Sequence, residues 1–329
     1  MNWDGKRVLV TGAAGFIGSH LCEALVERGA NVSAFIRYKS DGDPGLLKDL
    51  PNEIFRSLTI MRGDLKDPSA VRSAVKDQNV VFHLAALIGI PFSYERPLDY
   101  VQTNVSGTAH VLEACRQMSV EKLVHTSTSE VYGTALKAPI DEEHPLQGQS
   151  PYAATKIAAE QLALSYFASF NLPVTIVRPF NTYGPRQSMR AIIPTVISQA
   201  LLSDVIRVGS LWPVRDLNSV FDTVRGFIAA AETPASSGQV LNFGSGKEVS
   251  IGDLIAMILK IIGKDMPIET DEQRVRPASS EVGRLIADST KAQRLLNWKS
   301  QITLEQGLSQ TIEWLRRNLA TYQNMSYHV

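Results

Sequence analysis

Cysteine is almost absent: Cys22 and Cys115 are the 2 in 329 residues. Both fall in segments with helical spacing and neither belongs to a Cys-x-x-Cys pair. That excludes a disulfide framework and a zinc ribbon, leaving two buried thiols as the expectation. Net charge is missing as well, because Lys plus Arg and Asp plus Glu both total 33. A zero balance removes the electrostatic case for nucleic acid or an anionic membrane surface as partner. The longest apolar stretch, residues 80–92, is broken by His83, Gly89 and Pro91. It falls short of the ~20 residues that cross a bilayer. Residues 1–7 run into a strand with no apolar signal region, so a cytoplasmic protein is expected. His20, His83, His110, His125, His144 and His328 show no ligand spacing, so no metal is expected.

What is present is an enzyme-sized, ordinary globular composition, 44% hydrophobic and 20% charged. The length suits about two domains at ~150 residues each. Over the first half, strand and helix patterns alternate, which implies a Rossmann-type, doubly wound parallel α/β sheet. Strands are expected at 7–11, 31–36, 58–62, 80–84, 122–126 and 174–178. Helices are expected at 16–28, 68–76, 98–118 and 151–170, with a polar loop up to Pro51. After Pro179 the alternation loosens. Helices at 191–202, 222–231, 251–262, 290–296 and 304–318 and short strands at 206–208 and 240–243 suggest a smaller mixed α/β C-terminal lobe. Strand 240–243 is expected to return to the first sheet, and the polar tail after Leu319 to fray. The expected division is a dinucleotide-binding domain over 1–180, with returns near 215–245, and a substrate lobe over 181–329.

Gly12-Ala13-Ala14-Gly15-Phe16-Ile17-Gly18 links the first strand to the first helix. Glycines there permit a tight turn and a close approach of backbone to a pyrophosphate, and the helix N-terminus offers free N–H groups. A glycine pattern alone is a weak signal; the strand before it and the helix after it strengthen it. NAD-binding sequences place an acid about 20 residues on, for the ribose 2′-hydroxyl. This chain has Arg37, followed by Lys39 and Ser40. A guanidinium attracts a 2′-phosphate, so the reading favours NADP over NAD.

Tyr152 and Lys156 lie four residues apart, one helical turn on one face. A neighbouring ammonium lowers a phenol's pKa, and a phenolate can accept the proton of a sugar hydroxyl as hydride leaves. Thr128, Ser129 and Glu130 end the fifth expected strand, where parallel sheets place their chemistry. Glu130 is informative because simple oxidation or epimerisation needs no carboxylate there, whereas removing a proton alpha to a new ketone does. Its bland alternative is an acceptor for a backbone N–H.

The Gly-x-x-Gly-x-x-Gly spacing, the Tyr/Lys pair and the length together resemble the extended short-chain dehydrogenase/reductase family. That resemblance implies adenine contacts from Asp64 and Leu65 and a small-residue bed for the cofactor at Leu84, Ala85 and Ala86. It implies a hydroxyl partner for the sugar O4 in Thr128, a phosphate contact from Asn181, and a homodimer through helices 98–118 and 151–170. Arg215-Asp216 with Asp222, and Arg276-Pro277, match the family's arginine segments, so Arg215 and Arg276 are expected on the substrate diphosphate. Thr128-Ser129-Glu130-Val131-Tyr132-Gly133 resembles nucleotide-sugar 4,6-dehydratases and also nucleotide-glucuronate decarboxylases. A decarboxylase needs a cation at C6, for which Arg186 is the candidate. Ser129 stands where related dehydratases carry an acid, so Glu130 acts alone or another group supplies the C6 proton. Residues 83–94, 178–187 and 274–288 most resemble the N-acetylglucosamine 4,6-dehydratases of legionaminic-acid-type pathways. The implied activity is dehydration of a nucleotide-linked N-acetylglucosamine. The rivals are a 4-epimerase, a decarboxylase, and a cofactor-sensing regulator, a class that tends to lose the Tyr/Lys pair kept here.

Overall fold

The computed structural model describes residues 1–272 and 283–323. Arg276 lies outside the described residues. A seven-stranded sheet, parallel throughout, is built from β1 (Arg7–Thr11), β2 (Asn31–Arg37), β3 (Thr59–Gly63), β4 (Val80–His83), β5 (Lys122–Thr126), β6 (Val174–Pro179) and β10 (Val240–Phe243). The strand order β10-β6-β5-β4-β1-β2-β3 reverses direction between β1 and β4. Such a reversal opens a crevice at the carboxyl ends of the strands, where this fold class takes its ligands.

Strand periodicity sorts the core into two layers. Val8 and Val10 pack on one face with Leu21, Cys22, Leu25 and Phe227. Leu9 points to the other, with Val81, Val111, Cys115 and Leu123. The two free thiols are both buried. They belong to clusters on opposite sides of the sheet, which accounts for the lack of a bridge.

Beyond the sheet, β9 (Val214–Ser219) pairs with β7 (Asn181–Tyr183), β11 (Glu248–Ser250) and β13 (Arg284–Leu285), and β8 (Ile206–Val208) pairs with β12 (Ile268–Thr270). A third core joins the helices Ile192–Leu202, Ile251–Ile262 and Leu304–Gln323 through Ile193, Ile197, Ile255, Ile258 and Ile312. Asp216 and Asp222 knot this region. Buried Asp216 accepts from the Ser245, Gly246 and Ala287 N–H groups. Buried Asp222 accepts from the N–H groups of Gln301 and Ile302.

Three expectations need correction. The helix expected at 98–118 is interrupted: Pro97–Tyr100 leads into a π-helical turn, Val101–Ser106, before Gly107–Gln117. The inserted turn aims Asn104 sideways, so its carboxamide accepts from Leu87 N and donates to Leu87 O and the Thr155 hydroxyl. The loop expected up to Pro51 holds a 3-10 turn, Gly45–Asp49, which buries Leu47. Finally, the last helix continues to Gln323, past the point where fraying was expected.

Candidate active site

Burial and hydrogen bonding shape the glycine turn. Gly12 has φ +72°, and a Cβ there would stand 2.7 Å from the amide nitrogen of Ala85. A Cβ on Gly18 would collide with the Gly12 carbonyl oxygen. Gly15 caps the helix Phe16–Val26 without any side chain, and no acid occupies its first turn. The helix N-terminus is therefore open and electropositive toward the cleft. Thr11 fixes the opposite lip: its hydroxyl accepts from the N–H groups of Leu84 and Ala85 and is paired with His83 Nδ1 at 2.8 Å. His83 is buried, and burial first and the Lys156 charge second lower its pKa to about 3. It is therefore neutral, and its Nε2 meets the Thr108 hydroxyl at 3.0 Å.

A cavity of about 970 Å³ runs along this edge of the sheet. One arm of its lining comprises Gly12, Gly15, Phe16, Ile17, Gly18, Arg37, Asp64, Leu65, Leu84, Ala85 and Ala86. Its other arm is lined by Thr128, Ser129, Glu130, Tyr152 and Asn181. These expected site residues, from seven segments of the chain, thus meet in one cleft. Lys39 is not among the cleft lining and pairs with Asp43 at 3.0 Å.

Tyr152 and Lys156 project from the helix Pro151–Phe170, which Ser150 caps by accepting from Ala153 N. Burial raises the Tyr152 phenol well above its ordinary pKa, the Thr128 hydroxyl bonded to it offsets part of that, and the nearby Glu130 charge adds to it. Burial lowers Lys156 to about 8, partly countered by Glu160. The Lys156 ammonium donates to the Thr126 carbonyl at 2.6 Å. Thr128 also accepts from Glu130 N at 3.2 Å, which winds the 3-10 turn Ser129–Tyr132 and puts Glu130 in the same cleft lining as Tyr152.

Two predicted substrate residues fall elsewhere. Arg186 does not line the cleft: its guanidinium bonds the Glu23 carboxylate and His20 Nδ1, and the residue is buried. Its Nη2 is thus engaged by an acid, whereas its buried Nη1 has no partner among the described residues. Arg215 is buried too, donating to the carbonyl of Val214 at 3.0 Å, and does not line the cleft.

Thr126, Ser127 and Gln187, which the sequence reading missed, also line the cleft. Thr126 Oγ1, Ser127 Oγ and Gln187 Oε1, like Oδ1 of the expected Asn181, are buried atoms without a partner among the described residues. Each such atom costs on the order of 1–3 kcal/mol unless a ligand bonds it. Ser127 adjoins the quoted Thr-Ser-Glu stretch and Gln187 follows the Tyr-Gly-Pro-Arg run, so position relative to a motif was the available signal. Ile88 and Phe92 add an apolar wall, exposed by 69% and 45%.

Fold and cleft together define an extended short-chain dehydrogenase/reductase. Residues 9–311 match the family described as GDP-mannose 4,6 dehydratase, and the chain belongs to it and is an enzyme. Mouse dTDP-D-glucose 4,6-dehydratase is 31% identical over 324 residues, covering 97% of this chain and 91% of that one. UDP-N-acetyl-alpha-D-glucosaminuronate decarboxylase of Bacillus cytotoxicus is 34% identical, covering 94% and 98%. The structure of UDP-glucuronic acid 4-epimerase from Bacillus cereus, in complex with UDP-glucuronic acid and NAD, superposes with a TM-score of 0.84 at 32% identity, covering 94% and 99%.

Proposed function

We propose that the protein is a nucleotide-sugar 4,6-dehydratase acting on a nucleotide-linked N-acetylglucosamine. The observation that carries the reading is a carboxylate, Glu130, lining the same cleft as Tyr152 and close enough for its charge to raise the Tyr152 phenol. We take residues 1–180, with returns near 215–245, as the dinucleotide-binding part and 181–329 as the sugar-nucleotide lobe. The glycine cradle, where a Cβ on Gly12 or Gly18 would fill the turn, fits a dinucleotide pyrophosphate. Arg37 at the far end fits a 2′-phosphate, so NADP is favoured, while NAD accompanies the structural relative. When bound, the nicotinamide accepts the hydride from sugar C4 and returns it.

The residues divide the remaining work. Tyr152 takes the O4 proton, and the Lys156 ammonium stabilises the phenolate. Thr128 bonds O4. The resulting 4-ketone acidifies C5–H, which Glu130 removes; the C6 hydroxyl takes up a proton, from Glu130 itself or from another group or water, and leaves as water, and hydride at C6 with a proton at C5 then completes the 4-keto-6-deoxy sugar. Ser129, next to Glu130 in the chain and in the cleft lining, is the candidate hydroxyl to relay that proton. Asn181 and Gln187 have buried acceptors to offer to sugar hydroxyls or to a phosphate-bound water. Arg186 pairs with Glu23 and is not among the described lining of the cleft, which favours the dehydratase over a decarboxylase that would need it as a cation at C6. Among the described residues no helix is long and apolar enough to cross a membrane, and a cytoplasmic location is proposed. A homodimer is proposed through the helices that display Leu98, Val101 and Phe170, each markedly exposed. Light scattering that gives a monomer would remove that part of the reading.

The test is incubation with UDP- and GDP-N-acetylglucosamine and either dinucleotide, read by mass spectrometry. Loss of one water supports the dehydratase. An unchanged mass with an altered configuration assigns a 4-epimerase, and carbon dioxide release from a glucuronate assigns a decarboxylase.

A further inference from the structure

Arg178, on β6, is 3% exposed and forms a two-pronged ion pair with Glu160, which is fully buried. The prongs measure 2.9 and 2.5 Å. Glu160 lies one turn beyond Lys156 on the catalytic helix. The other side of the same guanidinium donates to the Tyr132 hydroxyl at 2.8 Å and covers the Tyr132 ring at 4.8 Å. Tyr132 closes the 3-10 turn that carries Ser129 and Glu130, and its hydroxyl donates to Asn242 on β10 at 2.7 Å. One buried cation therefore touches both pieces of the proposed catalytic apparatus: the helix with Tyr152 and Lys156, and the turn with Glu130. A lysine could not reproduce this planar double contact together with the stacking.

We infer that Arg178 and Glu160 are positioning residues, a buried ion pair that fixes the helix of Tyr152 and Lys156 against the turn of Glu130 and sets the net charge behind Lys156. The inference rests on the Tyr152/Lys156 reading above. The charged and titratable groups facing Lys156 are His83 from β4, His125 from β5, and Tyr152 and Glu160 from its own helix, with Arg178 behind Glu160. The two histidines are driven neutral, by burial first. The balance between Glu160 and Arg178 is therefore the charge that a single substitution can tip.

Removing the Glu160 charge leaves Arg178 unopposed. Added positive charge favours the deprotonated forms of both Tyr152 and Lys156, so both limbs of the pH profile move to lower pH. Removing the Arg178 charge does the reverse. The experiment measures single-turnover reduction of the bound dinucleotide by nucleotide sugar against pH in Glu160→Gln, Arg178→Met and the double variant, with folding followed by dinucleotide affinity and Tm. The expected results are a fall in kcat of about 10- to 100-fold with KM nearly unchanged, and profiles displaced by roughly half a pH unit or more in opposite directions. In the double variant the profile returns toward that of the wild type while kcat stays low. Should Arg178→Met fail to fold, Arg178→Lys keeps the charge and loses the fork, so it should lower kcat without moving the profile. Profiles and kcat matching the wild type in folded Glu160→Gln would overturn the inference and leave the catalytic reading standing. Failure of the wild-type protein to reduce its dinucleotide with any nucleotide sugar would overturn both.

Discussion

The two arms of the cleft are built on opposite principles. The arm proposed for the dinucleotide turns on a glycine backbone, and its lip amides at 84 and 85 already have Thr11 as a partner. It recognises by shape: a methyl group at Gly12 or Gly18 has no room. The sugar arm is side chains, and several of its buried polar atoms have no partner within the protein. It carries unpaid polar burial that a hydroxylated ligand relieves, and buried titratable groups whose charged forms are penalised. The first arm should therefore lose binding when filled, and the second should lose chemistry when truncated.

Tyr152→Phe should separate them most sharply. The single-turnover rate of dinucleotide reduction should fall about 10³-fold or more, with dinucleotide affinity unchanged by calorimetry. A matching loss of affinity would break the division. Glu130→Gln should lower water elimination by about 10²- to 10³-fold while still oxidising C4. The sign to look for is absorbance of reduced dinucleotide persisting with substrate bound; intact dehydration would return Glu130 to a structural role. Gly18→Ala acts on the other arm and should weaken the dinucleotide by roughly 2 kcal/mol, about 30-fold in Kd, at saturating kcat near the wild type. Asn181→Ala should have the smallest effect, raising KM for the sugar about tenfold. The ligand-free Tm should hold or rise, because an unpartnered buried acceptor is removed; a clear fall in Tm would mean Asn181 is structural.

Much of this was legible beforehand because local chemistry and topology agree. Periodicity placed the parallel strands, and β10 joined the first sheet at 240–243 as expected. Thr128, Glu130 and Tyr152 converge because strand ends and helix starts share one edge of a parallel sheet. For Arg186 a motif gives position along the chain but not the partner. Glu23, far away in sequence, holds it, and only the fold brings the two together. The π-turn at Val101–Ser106 was invisible for a related reason: its benefit, the aim of Asn104 at Leu87 and Thr155, is paid across elements that no local window includes. Arg178 looked like a motif residue on a strand, and its double duty depends on Glu160 and Tyr132 arriving from two other segments.

The central claim is that one hydride leaves C4 and returns to C6 within the same active site. The most direct measurement uses a nucleotide-linked N-acetylglucosamine deuterated at C4, with the product examined by NMR and mass spectrometry. The account predicts a dehydrated 4-keto product carrying the deuterium at C6. Deuterium retained at C4 in a product of unchanged formula would contradict it and make the enzyme an epimerase.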